Sequence, residues 1–545
     1  MKKLLILCLS LFATLAFGQG GTLTVALPPA TRITYLFPIT PANDQSNYNF
    51  QVQYLLYKPL LWVGKKITVN YARSIASSVT TTNGRRYVVT LNPKWHWSDG
   101  TPVTSADVLF FWDMVRTITA NNAAAYYGWG IGGVPQEITS VRAEGPYRLV
   151  FTLDRAVNPL WFELNGLAQF IPLPEHAWNK YPGNPAKTLA YLQAQGSNVA
   201  FFRNSPVDGP FMVDHFVQDQ EYVLRANPHY SGHHPNYTYL VERYFTTSDA
   251  EFNALRGGEI DVGYLPIHLF NQAHLPGYRF ASLPQWGFFY IYVNFANPAA
   301  PALKDLTVRQ ALQMAINGPG MLKTILHNQG IAEYGPVPYD PPTYLSAYLK
   351  THVPYPFNPA KGKALLEAHG WKLVNGIMTK GGERLEFTLR YASGNQAFQQ
   401  EAELFAEDAA QEGIRINLKP EPFDTIIGSL GDPKGWSLDY WGGWTYQPDF
   451  FPSGDGIFNT GGGSNESGYS DPLMDRLIQA TTDYLPKEAV LNAMYNYQNY
   501  FAQQLPVLFV PIENQLFEVK STVRGVIQSF NPTVTNWTPQ DWTLH

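Results

Sequence analysis

The stretch Lys94-Trp95-His96-Trp97-Ser98-Asp99-Gly100-Thr101-Pro102-Val103-Thr104-Ser105-Ala106-Asp107-Val108 holds three local signals in succession. It opens as the end of a strand. Asp99-Gly100 then reads as a tight turn, because Asp bonds its own backbone and Gly tolerates left-handed geometry. Thr104 stands three residues before Asp107, the spacing of a capping box, in which each side chain satisfies a free backbone N–H of the other. Val108, Phe111, Trp112 and Val115 follow at helical spacing, so the stretch predicts strand, turn and amphipathic helix in direct sequence. His96, between two tryptophans, reads as a packing residue rather than a metal ligand.

Outward from this stretch the same mixture continues. Leu23, Val25 and Leu27 alternate as on a strand, as do Tyr87, Val89 and Leu91, then Leu149, Phe151 and Leu153, and later Leu385, Phe387, Leu389 and Tyr391. Thr307 with Gln310 predicts a second capping box, ahead of Val308, Ala311, Leu312 and Ala315. Asn358-Pro359 is an N-cap with proline at the first helical position, and Gly370 ends that helix. Residues 385–418 read strand, helix from Gln396, glycine stop at Gly413, then the alternating strand Ile414-Arg415-Ile416-Asn417-Leu418. That unit is the mark of an α/β domain.

At 545 residues the chain has room for three or four folding units of roughly 150 residues each. An aromatic content of 14 % with a net charge of only −5 excludes a disordered chain. With 38 Lys and Arg against 43 Asp and Glu, and no basic run longer than two residues, it is not a nucleic-acid binder. The 33 Tyr, 32 Phe and 14 Trp predict a large aromatic core and a cleft in which rings stack. Lys2 and Lys3, the apolar residues 4–15 and the small-x-small site Ala16-Phe17-Gly18 predict a signal peptide over 1–18, cleaved before Gln19. Its apolar run is too short to span a bilayer. Cys8, the sole cysteine, lies within that run. The expected mature chain is therefore periplasmic or secreted, soluble, not a lipoprotein, and free of disulfides and thiolate chemistry.

Catalytic motifs are missing. There is no H-E-x-x-H, no G-x-S-x-G and no cysteine ligand, and His233-His234 sits in turn composition. Gly128-Trp129-Gly130-Ile131-Gly132-Gly133 formally spells G-x-G-x-x-G, but no strand precedes it and Pro135 breaks any following helix, so it reads as a loop. Carboxylates are numerous enough that a glycosidase pair stays open. What remains is an exported, aromatic-rich α/β chain better suited to binding than to catalysis.

Several segments resemble one family in order along the chain. Tyr57-Lys58-Pro59-Leu60-Leu61 is similar to its Y-E-P-L-L, and the opening stretch to its K-W-H-D-G-T-P-L-T-A-E-D-V with two extra residues before Asp99. Pro206-Val207-Asp208-Gly209-Pro210-Phe211, Asn227-Pro228-His229-Tyr230 and Ala254-Leu255-Arg256-Gly257-Gly258-Glu259-Ile260-Asp261 follow. Val308-Arg309-Gln310-Ala311-Leu312 and Gly468-Tyr469-Ser470-Asp471-Pro472 complete the series. The chain resembles the family 5 extracellular solute-binding proteins of ABC importers, the oligopeptide, dipeptide and nickel-binding type. The resemblance implies an α/β fold, the two-lobed periplasmic-binding-protein clamshell of type II in its large three-domain form. Residues 19–56, 184–282 and 505–545 would form a discontinuous first domain, 57–183 the second domain of lobe one, and 283–504 lobe two. It further implies a monomer that closes by a hinge on a peptide or small molecule and passes it to an ABC permease driven by an ATPase. No enzyme activity, cofactor or metal is implied.

The resemblance also suggests where ligand sits. Peptide binders of the family carry W-x-x-D-Y, whose Asp pairs with the ligand's α-ammonium. Counting from Trp444 in Trp441-Gly442-Gly443-Trp444-Thr445-Tyr446-Gln447-Pro448-Asp449, that position holds Gln447. Glutamine can hydrogen-bond but cannot neutralise an ammonium. Either Asp449 takes the role, or the ligand is not a peptide with a free amino terminus. Trp441, Trp444 and Tyr446 could stack on ligand or pack within the lobe. Trp286 and the strand-end Asn294 are further candidates, and Tyr126, Tyr127 and Trp129 form an aromatic loop at the cleft rim or on the surface. An oligopeptide is the leading ligand. An oligosaccharide or nickel chelate on the same fold, or a secreted hydrolase, are the alternatives.

Overall fold

A computed structural model describes residues 20–28, 31–41, 44–120, 122, 125–533 and 536–545, so the predicted signal peptide and Cys8 lie outside the described residues. Two bodies are organised around two sheets. The first sheet has seven strands, in the order Tyr278–Leu283, Gln515–Lys520, Val262–Tyr264, Thr22–Ala26, Tyr239–Arg243, Glu221–Ala226 and Phe211–Val217. Thr22–Ala26 pairs in parallel with both neighbours. Its Leu23 and Val25 point into the core and are fully buried, as their alternation predicts.

Docked to this body is a four-stranded antiparallel sheet, Ala76–Thr81, Arg86–Leu91, Arg148–Leu153 and Ile138–Ala143. The helix Ser105–Thr119 runs beside it. Its capping box forms as expected: Asp107 Oδ2 accepts from Thr104 N at 2.7 Å, and Val108, Phe111, Trp112 and Val115 are buried. Trp95 and Trp97 are buried, while His96 points the other way and is half-buried, its Nδ1 2.9 Å from Lys94 O. Strand alternation thus separates His96 from its neighbours, contrary to the expected packing role.

The second body holds a six-stranded sheet. Along its path lie Arg415–Glu421, Glu386–Ala392, Leu438–Tyr440, Gly287–Val293 and Gly443–Thr445, and Val507–Val510 also pairs with Gly287–Val293. Glu386–Ala392, the helix Gln396–Gln411 and Arg415–Glu421 make the predicted strand–helix–strand unit, with the two strands parallel. Two expectations need correction. The helix at 306–314 is capped by Asp305, whose Oδ1 accepts from Thr307 N at 2.9 Å, not by Thr307. And residues 507–510 belong to the second sheet, not to the domain expected from 505 onward, because they bond antiparallel to Gly287–Val293.

The chain therefore crosses between the bodies at residues 284–286 and returns at Asn514, after Ile512–Glu513 has paired with Gly330–Ile331 of the second body. The crossings lie side by side. Gln285 Nε2 donates to Glu513 O at 2.8 Å, and Asn514 Nδ2 donates to Ser282 Oγ at 2.9 Å.

A buried ion pair locks the second sheet. Arg390 donates from Nε and Nη2 to the two oxygens of Asp439 at 2.7 and 2.6 Å, and from Nη1 to Ser429 Oγ at 2.8 Å. Breaking one half of such a pair strands the other charge away from water. Asp439→Ala is expected to lower unfolding free energy by about 3–5 kcal/mol, and the double variant Arg390→Met with Asp439→Leu to recover most of it. Urea denaturation followed by circular dichroism measures both, and equal losses in the two variants would contradict this account.

Candidate functional site

The two bodies meet along a seam that the strand Gly287–Val293 sets up. One of its edges carries two short strands in succession, Leu438–Tyr440 and Gly443–Thr445. Between them the chain bulges at Trp441-Gly442, where Gly442 has φ +106° and its carbonyl accepts from Tyr290 N at 2.8 Å. Gly443 must be glycine: a Cβ there would lie 2.2 Å from Phe288 O. This close pairing fixes the direction in which the chain leaves the sheet, toward the other body.

The residues singled out in the sequence separate into two groups. Tyr446 is buried against Trp286 and Phe288, with ring centroids 6.3 and 6.0 Å away, and its hydroxyl donates to Pro336 O. Trp286 is equally buried and donates to Phe450 O at 3.1 Å. Asn294 donates to Trp436 O at 3.0 Å and accepts from Ala296 N at 3.0 Å, so its amide holds the 433–436 loop. These three side chains are engaged with the protein itself. Trp441 and Trp444 stay half-buried, Trp441 standing edge-on to Tyr290 and Tyr292 at 5.9 and 5.7 Å.

Gln447 and Asp449 lie at the seam. Gln447 Nε2 donates across it to Asn47 Oδ1, at the start of the helix Asn47–Leu56 of the first body. Asp449 is buried; its Oδ2 accepts from Trp444 Nε1 at 3.0 Å, while Oδ1 is buried without a hydrogen-bond partner. Burial pushes the Asp449 carboxyl up to about 7, the nearby charge of Asp455 adds to the rise, and the Trp444 indole opposes it. No Lys, Arg or His pairs with Asp449 or Asp455 among the described residues. No group of residues there could hold a metal ion, and no helix there is long and apolar enough to cross a membrane.

The seam continues through residues the sequence did not single out. Asn165, fully buried, donates from Nδ2 to Phe451 O at 2.9 Å and accepts from Phe451 N at 2.7 Å, an amide clamped on both backbone polar groups of one residue of the opposite body. Asn158 donates to Thr481 O at 2.9 Å, and Trp161 Nε1 to Asp455 Oδ2 at 2.8 Å. Arg155 reaches Asp483 at 3.3 Å and Thr482 Oγ1 at 3.0 Å. No spacing rule marks these residues, because each is defined by a partner some 290–330 positions away. The aromatic loop joins the seam: Tyr126 is buried with its hydroxyl on Gln169 Oε1 at 2.6 Å, and Gln169 in turn donates to Asn165 O at 2.7 Å.

Comparison with known proteins places this geometry. The model of bacterial extracellular solute-binding proteins, family 5 (middle region), matches residues 70–459. The chain is 27 % identical over 435 residues to Protein XP55 of Streptomyces lividans, covering 75 % of this chain and 70 % of that one. It is 24 % identical over 539 residues to the oligopeptide-binding protein AppA of Bacillus subtilis, covering 96 % and 92 %. The structure of that AppA in complex with a nonapeptide superposes with a TM-score of 0.80 at 21 % identity, over 97 % of this chain and 99 % of AppA. NikA from Brucella suis in complex with Fe(III)-EDTA superposes with a TM-score of 0.77 at 20 % identity, over 96 % and 100 %. The chain belongs to the family 5 solute-binding proteins of ABC transporters and has their two-lobed α/β clamshell. The first body is one lobe, the second the other, and the two lobes are in contact along the seam.

The Asn165 clamp exists only when the lobes meet. Two buried hydrogen bonds at about 1 kcal/mol each make Asn165→Ala shift the closed-to-open ratio by roughly 30-fold toward open. Small-angle X-ray scattering of the ligand-free variant is expected to give a larger radius of gyration than wild type. An unchanged radius would remove Asn165 from the closing contacts.

Proposed function

We propose that the protein captures oligopeptides bearing a free amino terminus and hands them, chemically unchanged, to the permease of an ABC importer. It would act as a monomer outside the cytoplasmic membrane, without a lipid anchor, as the 1–18 segment suggests. The observation that carries this reading is Asp449: a buried carboxylate at the lobe seam with one unpartnered oxygen and no protein cation beside it. Burying such a group is costly unless something of opposite charge completes it. A peptide α-ammonium supplies both the charge and the hydrogen-bond donors. Trp444 orients the carboxylate through its indole, and Gln447, bonded to Asn47, takes the position that carries Asp in the W-x-x-D-Y pattern. Likeness to AppA along 96 % of the chain supports the same ligand class.

An anionic chelate would meet Asp449 and Asp455 with like charge, which disfavours the chelate reading. Turnover plays no part: capture needs only that the ligand bind the closed form better than the open one, so that it shifts the population toward closure.

Asp449 binds ammonium when ionised. Its carboxyl in the ligand-free protein is raised to about 7, so at lower pH it must first lose a proton. Affinity for a free-amino-terminus peptide is therefore expected to strengthen from about pH 5.5 to about pH 7.5, with proton release on binding. The ligand-free protein behaves oppositely. The contribution of this group to its stability is full below the unfolded value near 4 and is lost as pH rises through about 7. Asp449→Asn should weaken such a peptide by about 100-fold or more and abolish the pH dependence, while N-acetylation of the peptide should cost wild type a similar factor. Isothermal titration calorimetry reads all three, and equal affinity for free and acetylated peptides would defeat the proposal.

A further inference from the structure

A cavity of about 230 Å³ lies beside Asp455, where the second domain of the first lobe meets lobe two. One wall comes from the aromatic loop, through Trp129 and Glu137, and another from Trp161 and Arg155. Asp455 and the glycine-rich loop 461–463 close it from the opposite lobe. The loops approach closely: a Cβ on Gly463 would lie 3.3 Å from Trp129 O, and one on Gly462 2.6 Å from Gly456 O. Both lobes build the cavity, so it is complete only in the closed form.

Its charges do not balance. Arg155 is the one cation of the lining, and it is already matched by Glu137 at 2.9 Å and Asp483 at 3.3 Å, with Thr482 Oγ1 at 3.0 Å. Asp455 receives only neutral donors, Trp161 Nε1 at 2.8 Å and Ser453 Oγ at 2.6 Å. The backbone N–H groups of Asp455 and Gly456 add to these, all of them neutral, so its charge meets no cation of the protein among the described residues. Trp129 adds a ring face, which attracts a cation and leaves a neutral group indifferent, whereas the Trp161 ring already carries the Arg155 guanidinium 5.6 Å from its centroid.

We propose that this cavity receives the cationic side chain of an arginine or lysine in the first or second residue of the bound peptide, with Asp455 as its partner. The proposal rests on the peptide reading above and names the ligand subclass. Asp455 follows Asp449 on the same segment that leaves Gly443–Thr445 for the seam, and Trp161 of the opposite lobe bonds to it there, so a peptide anchored by its amino terminus at Asp449 would extend its first side chains along this part of the seam. The two carboxylates then share the two positive charges of the ligand, one each.

The test uses the full protein and four tripeptides: Arg-Ala-Ala, Ala-Arg-Ala, and the same two with citrulline, an uncharged isostere, in place of arginine. By calorimetry near pH 7.5, at least one arginine peptide is expected to bind about 10-fold or more tightly than its citrulline counterpart. In Asp455→Asn that ratio should fall to about 2-fold or less. Equal affinities in wild type, or a ratio unmoved by Asp455→Asn, would overturn the proposal while the citrulline peptides, still bound, keep the receptor reading standing. Should no peptide bind at all, both fall together. If Asp455→Asn does not fold, the crystal structure of the wild-type complex decides: a guanidinium within ion-pair distance of Asp455 supports the assignment, and one elsewhere refutes it.

Discussion

Every residue of the strand Gly287–Val293 is buried, so every N–H and C=O along it must find a partner inside the protein. That requirement organises lobe two. One edge is filled by Val507–Val510, which draws the returning chain into this sheet before it leaves for the other lobe. The opposite edge is filled by Leu438–Tyr440 and Gly443–Thr445. The second of these ends at Tyr446, whose N–H bonds to Trp286 O at 2.9 Å, and from there the backbone heads into the seam. The position of Asp449 is thus inherited from a ladder several residues away. A rigid ladder also suits the proposed role, because a carboxylate held at fixed depth would discriminate between ligands by charge rather than adapt to them.

The seam works on a different principle from the lobes. Within each lobe the dominant contribution is apolar burial, including long runs of aromatic contacts such as Phe288, Tyr446 and Trp286. Between the lobes, amides, indole N–H groups and one guanidinium stand out, each bonded to a specific atom opposite, beside apolar contacts that continue the core. Such contacts exchange protein–protein for protein–water hydrogen bonds at small net free energy. A large apolar interface would hold the lobes shut regardless of ligand. A seam rich in specific polar bonds would leave closure nearer to balance, so that the added contacts of a ligand could decide it.

Much of the fold was legible in the sequence because its signals are local. The Thr104–Asp107 capping box, the Asn358-Pro359 start and the strand–helix–strand unit over 385–418 depend on residues a few positions apart, and all three form. The return crossing was not legible from the residues: Val507-Leu508-Phe509-Val510 is uniformly apolar, and an unalternating run does not say which sheet it enters. The cap at Asp305 was missed for a nearer reason, since Asp305 and Thr307 are both good cap residues and only backbone geometry separates them. At the site, Trp441, Trp444, Gln447 and Asp449 stood out through one short segment. Arg155, Asn158, Trp161, Asn165 and Asp455 did not, because their roles exist only in the contact between distant parts of the chain.

The two crossings have a mechanical consequence. Two extended segments lying side by side and tied to each other, Gln285 to Glu513 and Asn514 to Ser282, make a ribbon rather than two independent strings. A ribbon bends readily across its face but resists twist and in-plane shear. Such a spine favours a swing of the lobes, like a book, over a slide of one past the other. A swing about that spine would return Asn165 to the backbone of Phe451 and Trp161 to the carboxylate of Asp455. Alignment of these contacts is thus built into the spine, and the search that precedes each closure is a matter of angle alone.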